Sequence, residues 1–260
     1  MIQCTPLTAI SNRGIKLLMA SLSDRQTRIL KSIIEEYIES ALPVGSDTLE
    51  RKYSLAVSPA TIRNEMVKLT EAGFLKKVHS SSGRVPTPMA LKYYVSQLMR
   101  EQQLPLAEEV AVKEKIWDYR HEFDKLLRET TKELAIRTKK MAVASTDEGN
   151  IYTSGVANIL DAPEFFDIDL TKAILSHLDE IIFWQKLIER STGEDEVGFV
   201  LGSDLGDEIF EPCGFVYRRF EAGPRRGFIG VVGPARLNFS RIFPTIRYFG
   251  NLMDEIFRSW

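Results

Sequence analysis

Apolar positions in the first part of the chain recur at helical spacing in successive segments. In 23–39, SDRQTRILKSIIEEYIE, one stripe contains Ile29, Leu30, Ile33, Ile34, Tyr37 and Ile38. Ser23 and Gln26 form a capping box, which specifies where this helix begins. ALPVGS then interrupts the pattern, and Ser46 is expected to cap a second short helix, SDTLERKY.

A third helix is predicted between Ser58 and Gly73. Ser58 and Pro59 suit the N-cap and the first helical position, and Gly73 suits the stop. The buried stripe of this helix consists of Ile62, Met66 and Leu69. FLKKVH and RVPT then flank SSSG, which predicts a hairpin with the glycine at its tip. Three helices followed by a hairpin predict a winged helix-turn-helix domain over 20–104.

The pattern changes twice in the remainder of the chain. Apolar and charged residues interleave at helical spacing from Val110 to about Lys140, which predicts one connecting or dimerisation helix over 105–140. Beyond it, the β-rich segments MAVAS, VGFVLG, CGFVYRRF and GFIGVVG accompany the helical stretches DLTKAILSHLDEIIFWQKLIE and FSRIFPTIRYFGNLMDEIF. The sequence therefore predicts an α+β domain with an antiparallel sheet over 141–260.

The first residues do not share this patterning. MIQCTPLTAISNRGIKLL lacks the apolar core and cleavage site of a secretory signal. We expect 1–19 to be a disordered leader, with either Met1 or Met19 as the start. No apolar run reaches the length that a bilayer requires. Cys4 and Cys213 form no disulfide framework, which fits a reducing compartment and predicts a cytoplasmic protein.

Charge is distributed unevenly along the chain. The net charge is −2, but residues 1–104 carry 14 Lys and Arg against 9 Asp and Glu, a balance of +5. Residues 105–260 carry 20 against 27, a balance of −7. The N-terminal part is therefore the candidate for binding a polyanion.

The predicted third helix carries side chains suited to base recognition. Thr61, Asn64 and Lys68 share one face, with Ala60, Arg63 and Val67 beside it. A major groove accommodates one helix, in which short donors reach base edges and arginine binds guanine or phosphate. Backbone N–H groups at the starts of the second and third helices suit phosphate oxygens.

The hairpin adds positive charge beside this helix. Its basic residues are expected to lie near the DNA backbone, and Arg84 suits a narrow minor groove. The full set of predicted DNA contacts is Ser46, Thr48, Ser58, Ala60, Thr61, Arg63, Asn64, Lys68, Lys76, Lys77, His79, Ser80, Ser82, Gly83 and Arg84.

Several motifs resemble those of one protein family. The run from Leu22 to Val95 resembles the DNA-binding domain of the heat-inducible transcription repressor HrcA family, especially in PVGS, in VSPATIRNEM and in the Gly-Arg-Pro end of the hairpin. SGVANILDAPEF and GVVGPARLNFSRIFPTIRYF are similar to segments of its C-terminal domain. The resemblance implies a winged helix, a connecting helix and a reduced GAF-like domain.

The resemblance also implies a function and partners. Family members are dimeric repressors that bind double-stranded DNA at an inverted repeat, the CIRCE element, upstream of chaperonin and DnaK operons. The GroEL chaperonin supports the active repressor. The middle of this chain is shorter than is usual in the family, so we expect the helix around 117–134, or the reduced GAF-like domain, to mediate dimerisation.

Two other classes of function compete with this interpretation. A ligand-sensing winged-helix regulator with an unrelated operator is the alternative, because GAF-like folds often hold small molecules. An enzyme lacks support, because no catalytic constellation is present. The histidines His79, His121 and His177 lie far apart without metal-ligand spacing, so neither a metal nor a cofactor is predicted.

Overall fold

The computed structural model describes residues 22–78, 83–190, 196–223 and 225–258. The predicted leader 1–19, with both candidate start methionines, lies outside the described residues. His79, Ser80 and Ser82 of the predicted hairpin do so as well. The chain divides into two units, Met1–Met99 and Arg100–Trp260. Among the described helices, none combines the length and apolar character that crossing a membrane requires.

Three helices and a pair of strands form most of the described part of the N-terminal unit, as the sequence predicts. Its elements are α1 (Asp24–Ser40), α2 (Ser46–Lys52), α3 (Pro59–Glu71), β1 (Leu75–Lys77), β2 (Arg84–Pro86) and α4 (Pro88–Tyr93), which continues into a π-helical turn (Tyr94–Leu98). The two strands pair antiparallel, with Lys77 opposite Arg84. The predicted capping box of Ser23 and Gln26 is present at the start of α1.

The start of α2 differs from the prediction. Gly45, with an extended backbone, occupies the N-cap position, and Ser46 is the first helical residue. Ser46 is buried, and its Oγ donates to Asp47 Oδ1 at 3.3 Å. Val44 forms a backbone bridge with Arg84 of β2, so the chain leaves the sheet directly after Val44. Gly45 is therefore the residue that precedes the helix and occupies the N-cap position. The prediction that Ser46 caps this helix is therefore wrong.

A five-stranded sheet forms the centre of the C-terminal unit. Around it lie α5 (Leu106–Trp117), α6 (Phe123–Thr138), α7 (Ile168–Leu178), α8 (Ile181–Arg190) and α9 (Phe239–Phe257). The strands are β3 (Met141–Thr146), β4 (Ile151–Ser154), β5 (Gly198–Leu201), β6 (Cys213–Ala222) and β7 (Arg225–Pro234). They are ordered β4-β3-β7-β6-β5, and every neighbouring pair is antiparallel. This arrangement confirms the predicted α+β class.

Side chains of the three central strands contribute to one hydrophobic core. Trp184 of α8 is fully buried and lies 5.2 Å from Phe215 and 5.4 Å from Phe228, measured between ring centroids. Its indole N–H donates to the Leu178 carbonyl at 2.8 Å, so burial leaves no unpaired donor on the indole. α6 packs against β3 and β4, and α9 packs against β6.

Two helices replace the single helix predicted over 105–140. α5 ends at Trp117, and short turns lead into α6 at Phe123. Lys115 Nζ lies 2.7 Å from Glu133 Oε1, although a continuous helix would separate these residues by about 27 Å. The chain reverses because each helix buries its own apolar residues, Val112 and Ile116 in α5 and Leu126 and Leu127 in α6.

α9 contains a proline in its interior. Pro244 has no N–H, so the Ser240 carbonyl lacks its helical donor. The backbone N–H of Gln102 donates to that carbonyl at 2.9 Å. The chain segment before α5 therefore completes the hydrogen bonding of α9.

Gly250 lets α9 approach β6. A Cβ at this position would lie 2.1 Å from Arg218 Cδ. The Arg218 guanidinium passes over the glycine to donate to the Arg247 carbonyl (2.9 Å) and to Asp254 Oδ2 (2.8 Å). This arginine joins the sheet to α9.

Glu164 and Arg236 join two distant segments of the C-terminal unit. Glu164 lies in a 3-10 turn (Pro163–Phe165), and Arg236 follows β7. Arg236 Nη2 donates to Glu164 Oε2 at 3.1 Å, and Nε donates to Oε1 at 2.5 Å. The side chains are only 14% and 18% exposed, so water screens the pair weakly.

This pair is expected to stabilise the C-terminal unit more than an exposed one. A double-mutant cycle with Arg236→Met and Glu164→Gln should give a coupling energy of about 1–2 kcal/mol, within the range for residues in contact. Urea unfolding of the full chain measures it. The control is Arg225 with Glu148, a 3.0 Å pair whose side chains are 38% and 49% exposed. Its coupling should stay below about 1 kcal/mol; equal couplings would contradict the prediction.

Candidate nucleic-acid interface

α3 buries one face and exposes the opposite one. Ser58 caps the helix, because its Oγ accepts the Thr61 N–H at 3.3 Å. The apolar residues Ile62, Met66 and Leu69 are buried. The outward face contains Ala60, Arg63, Asn64 and Lys68, with Thr61 half-buried beside them. The structure therefore brings the predicted α3 residues together on one surface.

A buried carboxylate fixes how α3 is rotated in the unit. Glu65 is 3% exposed and accepts from Arg25 of α1, with an Nη2–Oε1 distance of 2.6 Å. Burial by itself would raise the pKa of Glu65. The hydrogen bond from Arg25 and the charges of Lys68 and Arg25 outweigh burial and hold this pKa below its ordinary value. The pair thus joins α3 to α1.

Sequence reasoning missed Glu65, although its spacing was informative. It lies three residues after Ile62 and four before Leu69, which places it on the buried face. A buried carboxylate needs a charged partner, and Arg25 is far away in the sequence. Lys68 Nζ also lies 3.6 Å from Glu65 Oε1, while its side chain is 58% exposed.

The hairpin carries exposed cations on β1. Lys76 and Lys77 are both exposed, and Lys77 pairs across the hairpin with Arg84. Arg84 is half-buried, and its Nε donates to Thr70 Oγ1 of α3 at 3.2 Å. Arg84 therefore lies at the base of the described hairpin, joined to α3.

Gly83 permits a close backbone contact at the same place. A Cβ on Gly83 would lie 2.3 Å from the Val44 carbonyl oxygen and 2.9 Å from the Gly45 nitrogen. Val44 and Arg84 exchange backbone hydrogen bonds of 2.8 and 2.9 Å. Gly83 directly precedes β2 and packs against the chain before α2, rather than lying at a projecting tip.

The α2 candidates are less accessible than those on α3. Ser46 is 6% exposed, and its hydroxyl contacts Asp47. Thr48 is half-buried. The structure therefore does not present the Ser46 side chain to a ligand.

The C-terminal unit has groups that bear on the alternative functions. A cleft of about 400 Å³ is lined by Gln102, Pro244, Arg247 and Tyr248 among others. Arg247 already contacts two carboxylates, Glu101 and Glu196, each at 2.9 Å. This cleft therefore offers no unpaired arginine charge that would identify a ligand.

Among the described residues, Cys213, His121 and His177 form no catalytic arrangement. Burial raises the pKa of the Cys213 thiol to about 12, which disfavours the nucleophilic thiolate. A ring nitrogen of His177 lies 2.9 Å from the Ala173 carbonyl, and the ring packs edge-on against Phe210. His121 is exposed.

Comparison with known proteins places this geometry in a family. Residues 84–243, more than half of the chain, match the family described as "HrcA protein C terminal domain". The chain belongs to the HrcA family. Two curated relatives, each named heat-inducible transcription repressor HrcA, come from Desulforamulus reducens and Symbiobacterium thermophilum. They are 24% and 25% identical over 92% and 91% of this chain, and the match covers 99% of each relative.

One solved structure shares the fold. It is described as the crystal structure of a hypothetical protein at 2.2 Å resolution, with a TM-score of 0.71 and 16% identity. The match covers 92% of this chain and 99% of that chain. The likeness therefore extends through both units.

This HrcA chain is shorter than the relatives it matches. The alignment with the Desulforamulus reducens protein extends over 343 residues, whereas this chain has 260. The relative therefore contains residues that have no counterpart here.

Within each unit, two of the segments that resemble HrcA contact each other. PVGS contacts the Gly-Arg-Pro segment through Val44 and Arg84. SGVANILDAPEF contacts GVVGPARLNF through Glu164 and Arg236. These contacts join segments that are distant in sequence, so part of the resemblance reflects architecture rather than ligand binding.

Gly83→Ala is expected to destabilise the N-terminal unit by about 1–3 kcal/mol, the usual cost of overpacking. The added Cβ would overlap the Val44 carbonyl, which cannot retreat without breaking its bridge to Arg84. Urea unfolding measures the change. The control is Gly45→Ser, because a Cβ there meets nothing within 4 Å and serine is a good N-cap. Equal stability of both variants would contradict the close approach.

Arg25→Met is expected to destabilise the unit by about 1–3 kcal/mol near neutral pH, because buried Glu65 loses its principal donor. Since the folded-state pKa of Glu65 is lowered, the pair's contribution is present above the unfolded value of about 4.5. It disappears as pH falls through the folded value, so wild type and variant should converge in acid.

Urea unfolding between pH 7 and pH 3 measures this difference. The control is Arg28→Met, which removes an exposed arginine from the same helix. A pH-independent difference for Arg25→Met would show that packing of its methylene stem, and not the ion pair, is responsible.

Proposed function

We propose that this protein is a transcription repressor that binds double-stranded DNA through the predicted winged-helix domain over 20–104. α3 enters the major groove, and the β1–β2 hairpin is the wing beside it. The curated relatives carry the name of a heat-inducible repressor and align over more than nine-tenths of this chain. The observation that carries the DNA interface is the outward polar face of α3.

The chemistry of that face supports base recognition. Asn64 and Arg63 are exposed near the capped start of α3, where a helix in a major groove first meets the base edges. Asparagine can bond an adenine through two hydrogen bonds, and arginine can bond a guanine in the same way. Thr61 and Ala60 lie beside them, and Ser58 is exposed at the helix start.

Lysines of the surface support phosphate binding. Lys76 and Lys77 are exposed on β1, and Lys68 is exposed on α3. Phosphate contacts position a protein on DNA without reading its sequence, and they make affinity salt-dependent. Arg84 and Gly83 hold the hairpin against α3 and the chain before α2 in this proposal, so their contribution to binding is indirect.

The operator is proposed to be an inverted repeat, of the CIRCE type that the family resemblance implies. A two-fold symmetric site requires two copies of the DNA-binding unit, so we propose a homodimer. The pairing surface is assigned to the C-terminal unit, including α5 and α6 in place of the single dimerisation helix. GroEL as modulator, a reduced GAF-like fold for 141–260 and a cytoplasmic location complete the proposal.

A titration of CIRCE duplex with the full chain tests the proposal. Tight binding of two chains per inverted repeat, with a half-site bound far more weakly, is the expected result. GroEL should strengthen binding at fixed salt. Light scattering on the free protein establishes its mass. Equal affinity for CIRCE and random DNA would reject the operator, and a monomer occupying each half-site independently would reject the dimer.

Asn64→Ala and Lys77→Ala are expected to have different effects on binding. Loss of Asn64 should cost about 1–3 kcal/mol on the preferred site and relax the preference at one base pair. Loss of Lys77 should weaken all sequences alike and reduce the salt slope by about one unit. Fluorescence anisotropy at several salt concentrations separates the two.

The matched control is Lys172→Ala, which removes an exposed lysine from the C-terminal unit. Its affinity and salt slope should equal those of wild type. An equal loss on specific and random DNA for both Asn64→Ala and Lys77→Ala would contradict the assigned roles.

A further inference from the structure

An apolar side chain lies in the middle of the outward face of α3. Val67 is 41% exposed, whereas Ile62, Met66 and Leu69 of the same helix are at most 5% exposed. At 3.6 residues per turn, Val67 lies about 20° around the helix from Ala60 and about 40° from Arg63. Ala60 and Val67 therefore form a small apolar line along the polar face.

Val67 cannot turn into the core of the unit. The opposite face of α3 is filled by its buried apolar residues, and the Glu65 carboxylate is held by Arg25 at 2.6 Å. The Ser58 cap fixes where the helix begins. The rotation that exposes Arg63 and Asn64 therefore exposes Val67 with them.

A single exposed apolar side chain is common on protein surfaces and needs no ligand by itself. The position of Val67 is what points to one. It lies one turn beyond Arg63 and Asn64, on the surface assigned to the major groove. Within that groove the 5-methyl of thymine is the apolar group that bases display, and small apolar side chains recognise it.

We propose that Val67 is a specificity-determining residue that packs against the 5-methyl group of a thymine in each operator half-site. The proposal rests on the proposed function, because it requires α3 in the major groove. Valine suits this contact because its branched Cβ leaves one strongly preferred rotamer in a helix, which holds both methyl groups in place. The contact selects thymine over cytosine and over deoxyuridine.

Removal of a single methyl group from the DNA tests the contact. The full chain first selects a preferred duplex from a random-sequence pool. That duplex is then resynthesised with deoxyuridine at one thymine position at a time, which keeps every hydrogen bond. Wild type should lose affinity about fourfold at one position per half-site, the value expected for one buried methyl-sized group.

Val67→Ala should bind the thymine and deoxyuridine duplexes equally at that position, and Val67→Ile should retain the preference. Alanine has the higher helix propensity, so the variant should fold, which thermal unfolding verifies. The matched control is Val156→Ala, because Val156 is a valine of similar exposure, 39%, in a 3-10 turn (Val156–Asp161) of the other unit. Its deoxyuridine sensitivity should equal that of wild type.

Two outcomes would overturn the assignment alone. One is sequence-selective binding with no position sensitive to deoxyuridine, and the other is unchanged sensitivity in Val67→Ala. Failure of the full chain to select any sequence would instead reject the proposed function, and this assignment with it.

Discussion

Glu65 is a buried carboxylate that keeps its charge because Arg25 of a neighbouring helix holds it. Together with the apolar stripe of α3, this pair sets the rotation of the helix about its own axis. A rotation of one residue in one direction would turn Asn64 inward to the place of Glu65, and in the other direction it would bring Glu65 out to the place of Asn64. The proposed DNA interface depends on that constraint, because side chains recognise bases only from the outward face.

The hairpin is held in place largely by contacts between backbone atoms. Gly83 lets one backbone approach another, and the hydrogen bonds between Val44 and Arg84 fix the register. Arg84 then donates to Thr70 at the end of α3. A residue expected to bind DNA is thereby part of the scaffold, while the exposed cations Lys76 and Lys77 lie beside it on β1.

The C-terminal unit is also held by contacts between distant segments of the chain, but different groups make them. An ion pair between Glu164 and Arg236 joins two segments far apart in sequence. Pro244 leaves the Ser240 carbonyl of α9 without its helical donor, and the Gln102 N–H donates to that carbonyl instead. Motifs that identify the HrcA family thus include residues that position the chain, so family membership alone does not tell which residues bind a partner.

The sequence by itself determined the capped start of α3, its buried stripe, the hairpin and the α+β class, because these depend on local spacing and on turn chemistry. Tertiary structure decided what depends on distant partners. Gly45 rather than Ser46 caps α2, since Val44 is paired to β2. Residues 105–140 form two helices, since each buries its own stripe. The partner of Glu65, forty residues away, follows from no local pattern.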